Sequence, residues 1–121
     1  MLSKVLLSLT GALALPAALL FHTELKHSFP ERDGMLKAPP QEVTLTFSGK
    51  VTAKLTTIAI LRPDSTEVLK LVVEKTADAK VVRAPMTRPL PPGRYVVRWK
   101  TAASDGHVVR GAYGFAVDVV E

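Results

Sequence analysis

A six-residue stretch, Tyr95-Val-Val-Arg-Trp-Lys100, decides the fold class. Tyr95, Val97 and Trp99 fall on one face of an alternating pattern whose other face carries Arg98 and Lys100. Because successive side chains of a β-strand point to opposite faces, a period of two predicts a strand with one side in a core. Aromatic residues on such a face usually pack inside, so Trp99 and Tyr95 are predicted core residues.

The same period recurs along the chain. Two more segments alternate strongly: one contains Val43, Leu45 and Phe47, and the other contains Tyr113, Phe115, Val117 and Val119. Four further segments alternate weakly, namely Leu25–Phe29, Thr56–Leu61, Val68–Glu74 and Lys80–Ala84. Turn residues separate them, as in Pro91-Pro-Gly93. About seven short strands without a long helical pattern predict one all-β domain, an antiparallel β-sandwich.

The N-terminus has the pattern of a secretory signal. Lys4 precedes a 17-residue apolar run, Val5 to Phe21, which contains a proline and is at the short end of the roughly 17–25 residues that span a bilayer. We therefore predict a signal peptide over residues 1–21 and a domain over residues 22–121. The cleavage point is open, because Ala17 and Ala18 offer small residues whereas Phe21 does not. An uncleaved membrane anchor is the alternative.

Composition excludes several kinds of chemistry. The chain has no cysteine, so it has no disulfide, thiolate metal site or cysteine nucleophile. The net charge is +5, but the basic residues are scattered singly along the strands without interleaved aromatics, which favours a solvated surface over nucleic-acid binding. Motifs of hydrolases or nucleotide-binding enzymes are missing from the sequence.

Three histidines remain as candidate ligands, namely His22, His27 and His107. Asp105-Gly-His107 lies between two alternating segments, where it is either a plain hairpin corner or a pair of ligands facing one ion. Aspartate oxygen and imidazole nitrogen, with a third nitrogen from the N-terminal segment, suit Cu(II), although zinc also accepts them.

The sequence resembles the CopC-type periplasmic copper-binding proteins, including their YobA-like members. The resemblance rests on the order and spacing of several stretches, which are His22-Thr-Glu-Leu-Lys-His-Ser-Phe-Pro30, Asp33-Gly34, Ala38-Pro-Pro40, Glu42-Val-Thr-Leu-Thr-Phe-Ser48, Leu90-Pro-Pro-Gly-Arg-Tyr-Val-Val-Arg-Trp99, Ser104-Asp-Gly-His107 and Tyr113-Gly-Phe-Ala-Val117. The resemblance implies a Greek-key sandwich, cupredoxin-like or immunoglobulin-like.

The resemblance also implies the metal site. Each chain would bind one Cu(II) through His22, Asp105 and His107, with the α-amine of His22 as a ligand if cleavage exposes it. His27 is either an auxiliary ligand or a buried structural histidine. Only Met35 and Met86 follow the signal, so no dedicated Cu(I) site is expected.

The expected function is that of a periplasmic copper protein in homeostasis or resistance. The resemblance implies a non-enzymatic, monomeric carrier or buffer that passes copper to a CopD-like inner-membrane transporter. Two alternatives are a β-sandwich interaction module of the cell envelope without metal, and an oxidase-like enzyme that uses the histidine-amine copper site.

Overall fold

A computed structural model describes residues 22–118, so the predicted signal peptide and Val119 lie outside the described residues. Nine strands follow one another, numbered in chain order: β1 Leu25–Phe29, β2 Met35–Leu36, β3 Glu42–Phe47, β4 Thr57–Leu61, β5 Glu67–Leu71, β6 Glu74–Lys75, β7 Val81–Pro85, β8 Gly93–Ala102 and β9 Val108–Val117. One 3-10 turn, Ala53–Leu55, precedes β4. Within this range no helix is long and apolar enough to cross a membrane.

The strands form two sheets, which confirms the predicted β-sandwich. One sheet has the order β1-β3-β7-β6 and the other β2-β9-β8-β4-β5. Seven strands have five residues or more, and the two additional ones, β2 and β6, have two residues each. The prediction of a fully antiparallel fold is wrong at one edge, where β2 pairs with β9 in parallel.

The parallel pair follows from the turn before it. The backbone N–H of Asp33 donates to the Gly114 carbonyl at 2.7 Å, and the N–H of Ala116 donates to the Gly34 carbonyl at 2.9 Å. These bonds hold residues 33–36 against the edge of β9 that does not pair with β8. Only two residues pair there, too few for alternation to mark them in the sequence.

The predicted strand Val68–Glu74 is in fact two strands in different sheets. β5 ends at Leu71 in the five-stranded sheet, and β6 begins at Glu74 in the four-stranded sheet. Val72, between them, is exposed. The apolar run Leu71-Val-Val73 therefore marks a crossing between sheets, which periodicity alone does not reveal.

The core lies between the sheets and contains the residues that the three strongly alternating segments assigned to it, except Val119, which is not among the described residues. Val43, Leu45 and Phe47 meet the inward residues of β8 and β9, all of them buried, and Trp99 is 8% exposed. The rings of Phe47 and Trp99 meet edge to face, with centroids 5.2 Å apart. This contact joins the two sheets.

The Trp99 indole lies directly over Gly111, its partner across the β8–β9 hairpin. A Cβ at Gly111 would come within 2.6 Å of the Trp99 Cζ2 atom, so only glycine leaves room for the ring. Phe47 holds the indole from the opposite sheet. The close approach therefore requires glycine at position 111.

We expect Gly111→Ala to destabilise the domain by about 1–3 kcal/mol, because the new methyl group displaces a packed indole. Gly114→Ala is the matched control in the same strand. A Cβ there would have the Tyr95 carbonyl oxygen as its nearest neighbour, at an ordinary 3.7 Å. Denaturant unfolding of both variants checks this, and equal stability of the two would show that the indole moves aside freely.

Candidate metal centre

The Asp105-Gly-His107 segment forms the turn between β8 and β9. The Ala103 N–H donates to the His107 carbonyl and the Gly106 N–H to the Ala103 carbonyl, both at 2.9 Å. Gly106 has a φ of +90°, which side-chain-bearing residues rarely adopt, and this explains the glycine of the motif. The hairpin-corner interpretation is therefore correct as local structure, and it does not exclude a metal role.

Within the turn, Asp105 and His107 are held together by two hydrogen bonds. One carboxylate oxygen, Oδ1, accepts from the His107 backbone N–H at 3.0 Å, and Oδ2 lies 2.9 Å from the ring nitrogen Nδ1. Both side chains face solvent, with 59% and 84% of their surfaces exposed. The structure thus brings this predicted pair together at the surface.

The pairing fixes the charge of the carboxylate. The backbone N–H of His107, and after it the His107 ring, hold the pKa of Asp105 below its ordinary value. Asp105 is therefore ionised at neutral pH. An ionised carboxylate only accepts hydrogen bonds, so the proton between the two side chains is on Nδ1. In the neutral ring, this leaves the Nε2 lone pair free and directed away from Asp105.

The segment Ser48–Val51 connects this turn to the N-terminal residues. On one side, the Ser48 N–H donates to the Glu24 carbonyl at 2.8 Å, and the Glu24 N–H donates to Ser48 Oγ at 2.9 Å. On the other side, the Ser104 N–H donates to the Lys50 carbonyl at 3.1 Å. The segment thus places the chain around His22 at the same end of the sandwich as the turn.

The three predicted ligands do not form a preassembled site. Among residues 22–118, no group of three or more histidine, cysteine or acidic side chains is arranged to hold a metal. His22 is exposed and precedes the first hydrogen bond of its segment, at Glu24. Asp105 and His107 are in contact, whereas His22 would have to move onto them.

His27 is separate from this pair. It is exposed and lines a shallow surface cleft with Lys26, Glu31 and Arg32, so the buried structural role is wrong. The prediction assumed regular alternation with Leu25 and Phe29. The pairing of β1 with β3 instead shifts register between Leu25 and His27, so Leu25 packs against the core while Phe29 is 44% exposed.

Two buried hydroxyl groups support the base of the turn. Thr56 Oγ1 donates to the Thr52 carbonyl at 2.7 Å and lies 2.6 Å from Thr101 Oγ1. Since Thr56 has one hydroxyl proton, Thr101 must donate the second bond. Thr52 in turn donates its N–H to the Ala102 carbonyl at 3.1 Å. Sequence analysis missed these residues and the Ser48–Val51 segment, because single polar residues near strand ends carry no periodic signal.

Comparison with known proteins gives a consistent set of likenesses. A family model described as the CopC domain matches residues 25–118. Protein YobA of Escherichia coli K12 is 32% identical over 97 residues, covering 79% of this chain and 78% of that protein. Copper resistance protein C of Escherichia coli is 35% identical over 118 residues, covering 90% and 93%. The crystal structure of CopC from Methylosinus trichosporium OB3b has a TM-score of 0.77 and 32% identity, covering 83% and 97%.

We expect the two threonines beneath the turn to respond unequally to substitution. Thr101→Val removes a donor and leaves the Thr56–Thr52 bond intact, so it should cost about 1 kcal/mol. Thr56→Val strands the Thr101 hydroxyl in the core and frees the Thr52 carbonyl, so it should cost more, up to about 3 kcal/mol. Urea unfolding of both valine variants, which match in shape, measures the difference. A larger cost for Thr101→Val would contradict the assigned direction of the bond.

Proposed function

The chain belongs to the CopC family and has a role in copper binding or copper resistance, and we propose that it carries one Cu(II) ion on His22, Asp105 and His107. The observation that carries this proposal is the Asp105–His107 pair on the β8–β9 turn, in contact at 2.9 Å and open to solvent. Copper is the cargo of this site rather than a cofactor for a reaction.

His107 is suited to bind first. Its ring is oriented through Nδ1 by the Asp105 carboxylate, and its Nε2 lone pair points away from that bond. Hydrogen bonding of the second ring nitrogen to a carboxylate is the usual way in which proteins fix the tautomer and orientation of a metal-binding histidine. The turn thus presents a preoriented nitrogen donor at the surface.

Asp105 supplies charge to the same ion. A carboxylate has about four lone-pair positions, and the turn uses one on each oxygen, so capacity for a metal remains. The lowered pKa keeps the group negative, which favours a divalent cation. Asp105 therefore orients His107 before the ion binds. Because Nε2 points away from Asp105, the carboxylate must release the Nδ1 bond to contribute an oxygen ligand to the same ion.

His22 completes the site from the N-terminal side. We propose that export removes residues 1–21, so that His22 presents both its imidazole and its α-amine, two nitrogens that chelate one ion. Glu24 is anchored to Ser48, and only Thr23 separates it from His22. The ion would thus draw a short segment onto the Asp105–His107 pair. His27 remains the auxiliary candidate, although the structure shows no contact between it and this pair.

The exposed position of the pair fits a carrier better than an enzyme. Ligands on a surface turn are accessible to a second protein, which copper transfer requires, and a substrate cleft is not needed. We propose a non-enzymatic, monomeric periplasmic protein that buffers Cu(II) and delivers it to a CopD-like inner-membrane transporter. A β-sandwich interaction module without metal is the alternative, and copper titration separates the two.

We expect His107→Ala to lower Cu(II) affinity by more than about 100-fold, since loss of an outer-shell partner alone costs about 10–100-fold. Asp105→Asn should also weaken binding, because it keeps the size of the side chain and removes its charge. Competition with a chromophoric Cu(II) chelator measures both. The matched control is Asp64→Asn, because Asp64 makes the same turn contact, accepting from the Thr66 N–H at 2.9 Å, and has a lowered pKa as well.

The pH dependence separates the two ligand types. Binding should fall as the pH falls, because protons compete for the ligand nitrogens. Asp105 has a pKa below its ordinary value, so it is still charged when that loss occurs and is protonated only in stronger acid.

For the substitutions, wild-type Cu(II) affinity in a folded His107→Ala variant, or an equal loss of affinity in Asp64→Asn, would refute the site.

The role of the N-terminal amine is tested by two versions of the protein, one beginning at His22 and one with a single extra residue before it. The α-amine has a reference pKa of about 7.7–8.0, so copper must displace its proton at neutral pH. We expect weaker binding by the extended version and different nitrogen ligation in the electron paramagnetic resonance spectra of the two Cu(II) forms. Identical spectra and affinities would show that the site uses side chains alone.

A further inference from the structure

The outer face of the five-stranded sheet carries a basic groove that the proposed copper site does not use. The groove has a volume of about 530 Å³, and its lining includes Ala59, Lys70, Arg98, Lys100, Arg110 and Ala112. These four basic residues look isolated in the sequence, because they lie on three different strands, β5, β8 and β9. Folding gathers them on one surface, which is named here the outer groove.

Lys100 and Arg110 oppose each other directly across the β8–β9 hairpin. Like charges at directly opposed strand positions are destabilising. Among the residues that line the outer groove, the one acidic side chain is Glu67, whose Oε2 lies 3.9 Å from an Arg98 nitrogen. Glu67 is on β5, two strands away from the β8–β9 hairpin. The groove therefore keeps an excess of positive charge, and its Lys100–Arg110 pair has no acidic neighbour in the lining.

The floor of the groove is made of small side chains. Across the sheet, Lys70 pairs with Ala59, Ala59 with Arg98, and Arg98 with Ala112. Alanine next to long basic residues leaves a channel with an apolar bottom and charged walls. Such a shape admits a narrow extended chain that carries negative charge.

We propose that the outer groove docks an extended acidic segment of a partner protein. A membrane surface fits less well, because the exposed large apolar residues of the described chain (Phe29, Met35, Leu55, Val72 and Val108) all lie outside the groove. A nucleic acid fits less well too, because single strands bind by stacking on exposed aromatic rings, and the one aromatic residue that lines the groove, Trp99, is only 8% exposed and belongs to the core. Charge complementarity thus favours an acidic peptide, independently of copper.

The test uses metal-free protein and a fluorescein-labelled peptide of alternating glutamate and alanine, measured by fluorescence anisotropy. The groove variant is Lys100→Gln with Arg110→Gln. The control variant is Lys75→Gln with Lys80→Gln, which removes the same charge from exposed positions associated with the other sheet. Two lost surface ion pairs predict affinity lower by about 2- to 30-fold in the groove variant. The control should bind like the wild type, and binding should weaken between about 0.02 and 0.15 M salt.

Thermal unfolding provides a second readout. The groove variant should melt at the same or a higher temperature than the wild type at low salt, because the substitutions relieve repulsion. A lower melting temperature would contradict that repulsion and overturn the inference. Equal loss of peptide binding in both variants, or binding of phosphatidylglycerol vesicles without binding of the peptide, would overturn it as well. None of these outcomes depends on whether the protein binds copper.

Discussion

The packing of Trp99 on Gly111 is the contact on which the rest of the structure depends. A one-residue slip between two strands turns every side chain to the opposite face, so a hairpin needs something that fixes its register. Here the indole of Trp99 leaves no room for a side chain on the residue that it faces across the hairpin, because a Cβ at Gly111 would come within 2.6 Å of the ring. Phe47 closes over the same ring from the other sheet. With this register fixed, the ten paired positions of β8 and β9 end at Ala102 and Val108, and the turn must form from the residues between them.

Alternation was sufficient to predict the sandwich and its core, because a half-buried strand repeats every two residues regardless of its partner. Val43, Tyr95 and Phe115 are buried as expected. Alternation failed where a local irregularity interrupts the two-residue period. The register shift in β1 turned Phe29 outward, and the crossing after Leu71 divided one apolar run between two sheets. Pairings of two residues, such as β2 with β9, are set by tertiary contacts and leave no pattern in the sequence.

The candidate site is likewise predictable from the sequence only in part. Asp105 and His107 could be predicted as a pair because they are two residues apart on a turn, so local geometry alone brings them into contact. The position of His22 depends on Ser48 and Lys50, two positions whose backbone groups bond to the N-terminal segment and to the turn. Most of these bonds join backbone atoms, which every residue has, and the one side-chain acceptor, Ser48 Oγ, belongs to a single serine that no periodic pattern marks. The sequence therefore predicts the candidate ligands more readily than it predicts their assembly.

The β8–β9 hairpin has a well-packed inner face and an outer face on which two positive charges repel each other. Inside, Trp99 and Tyr113 are packed in the core; outside, Lys100 and Arg110 repel each other at paired positions. The inner packing makes the repulsion tolerable, since burial of a large aromatic side chain contributes several times the cost of one exposed like-charge pair. Lys100 is three residues from Ala103, where the turn begins, which is about 10 Å along a strand. One rigid hairpin thus presents a carboxylate and an imidazole at its tip and positive charge along its side, so that a partner bound along the strands would lie next to the turn.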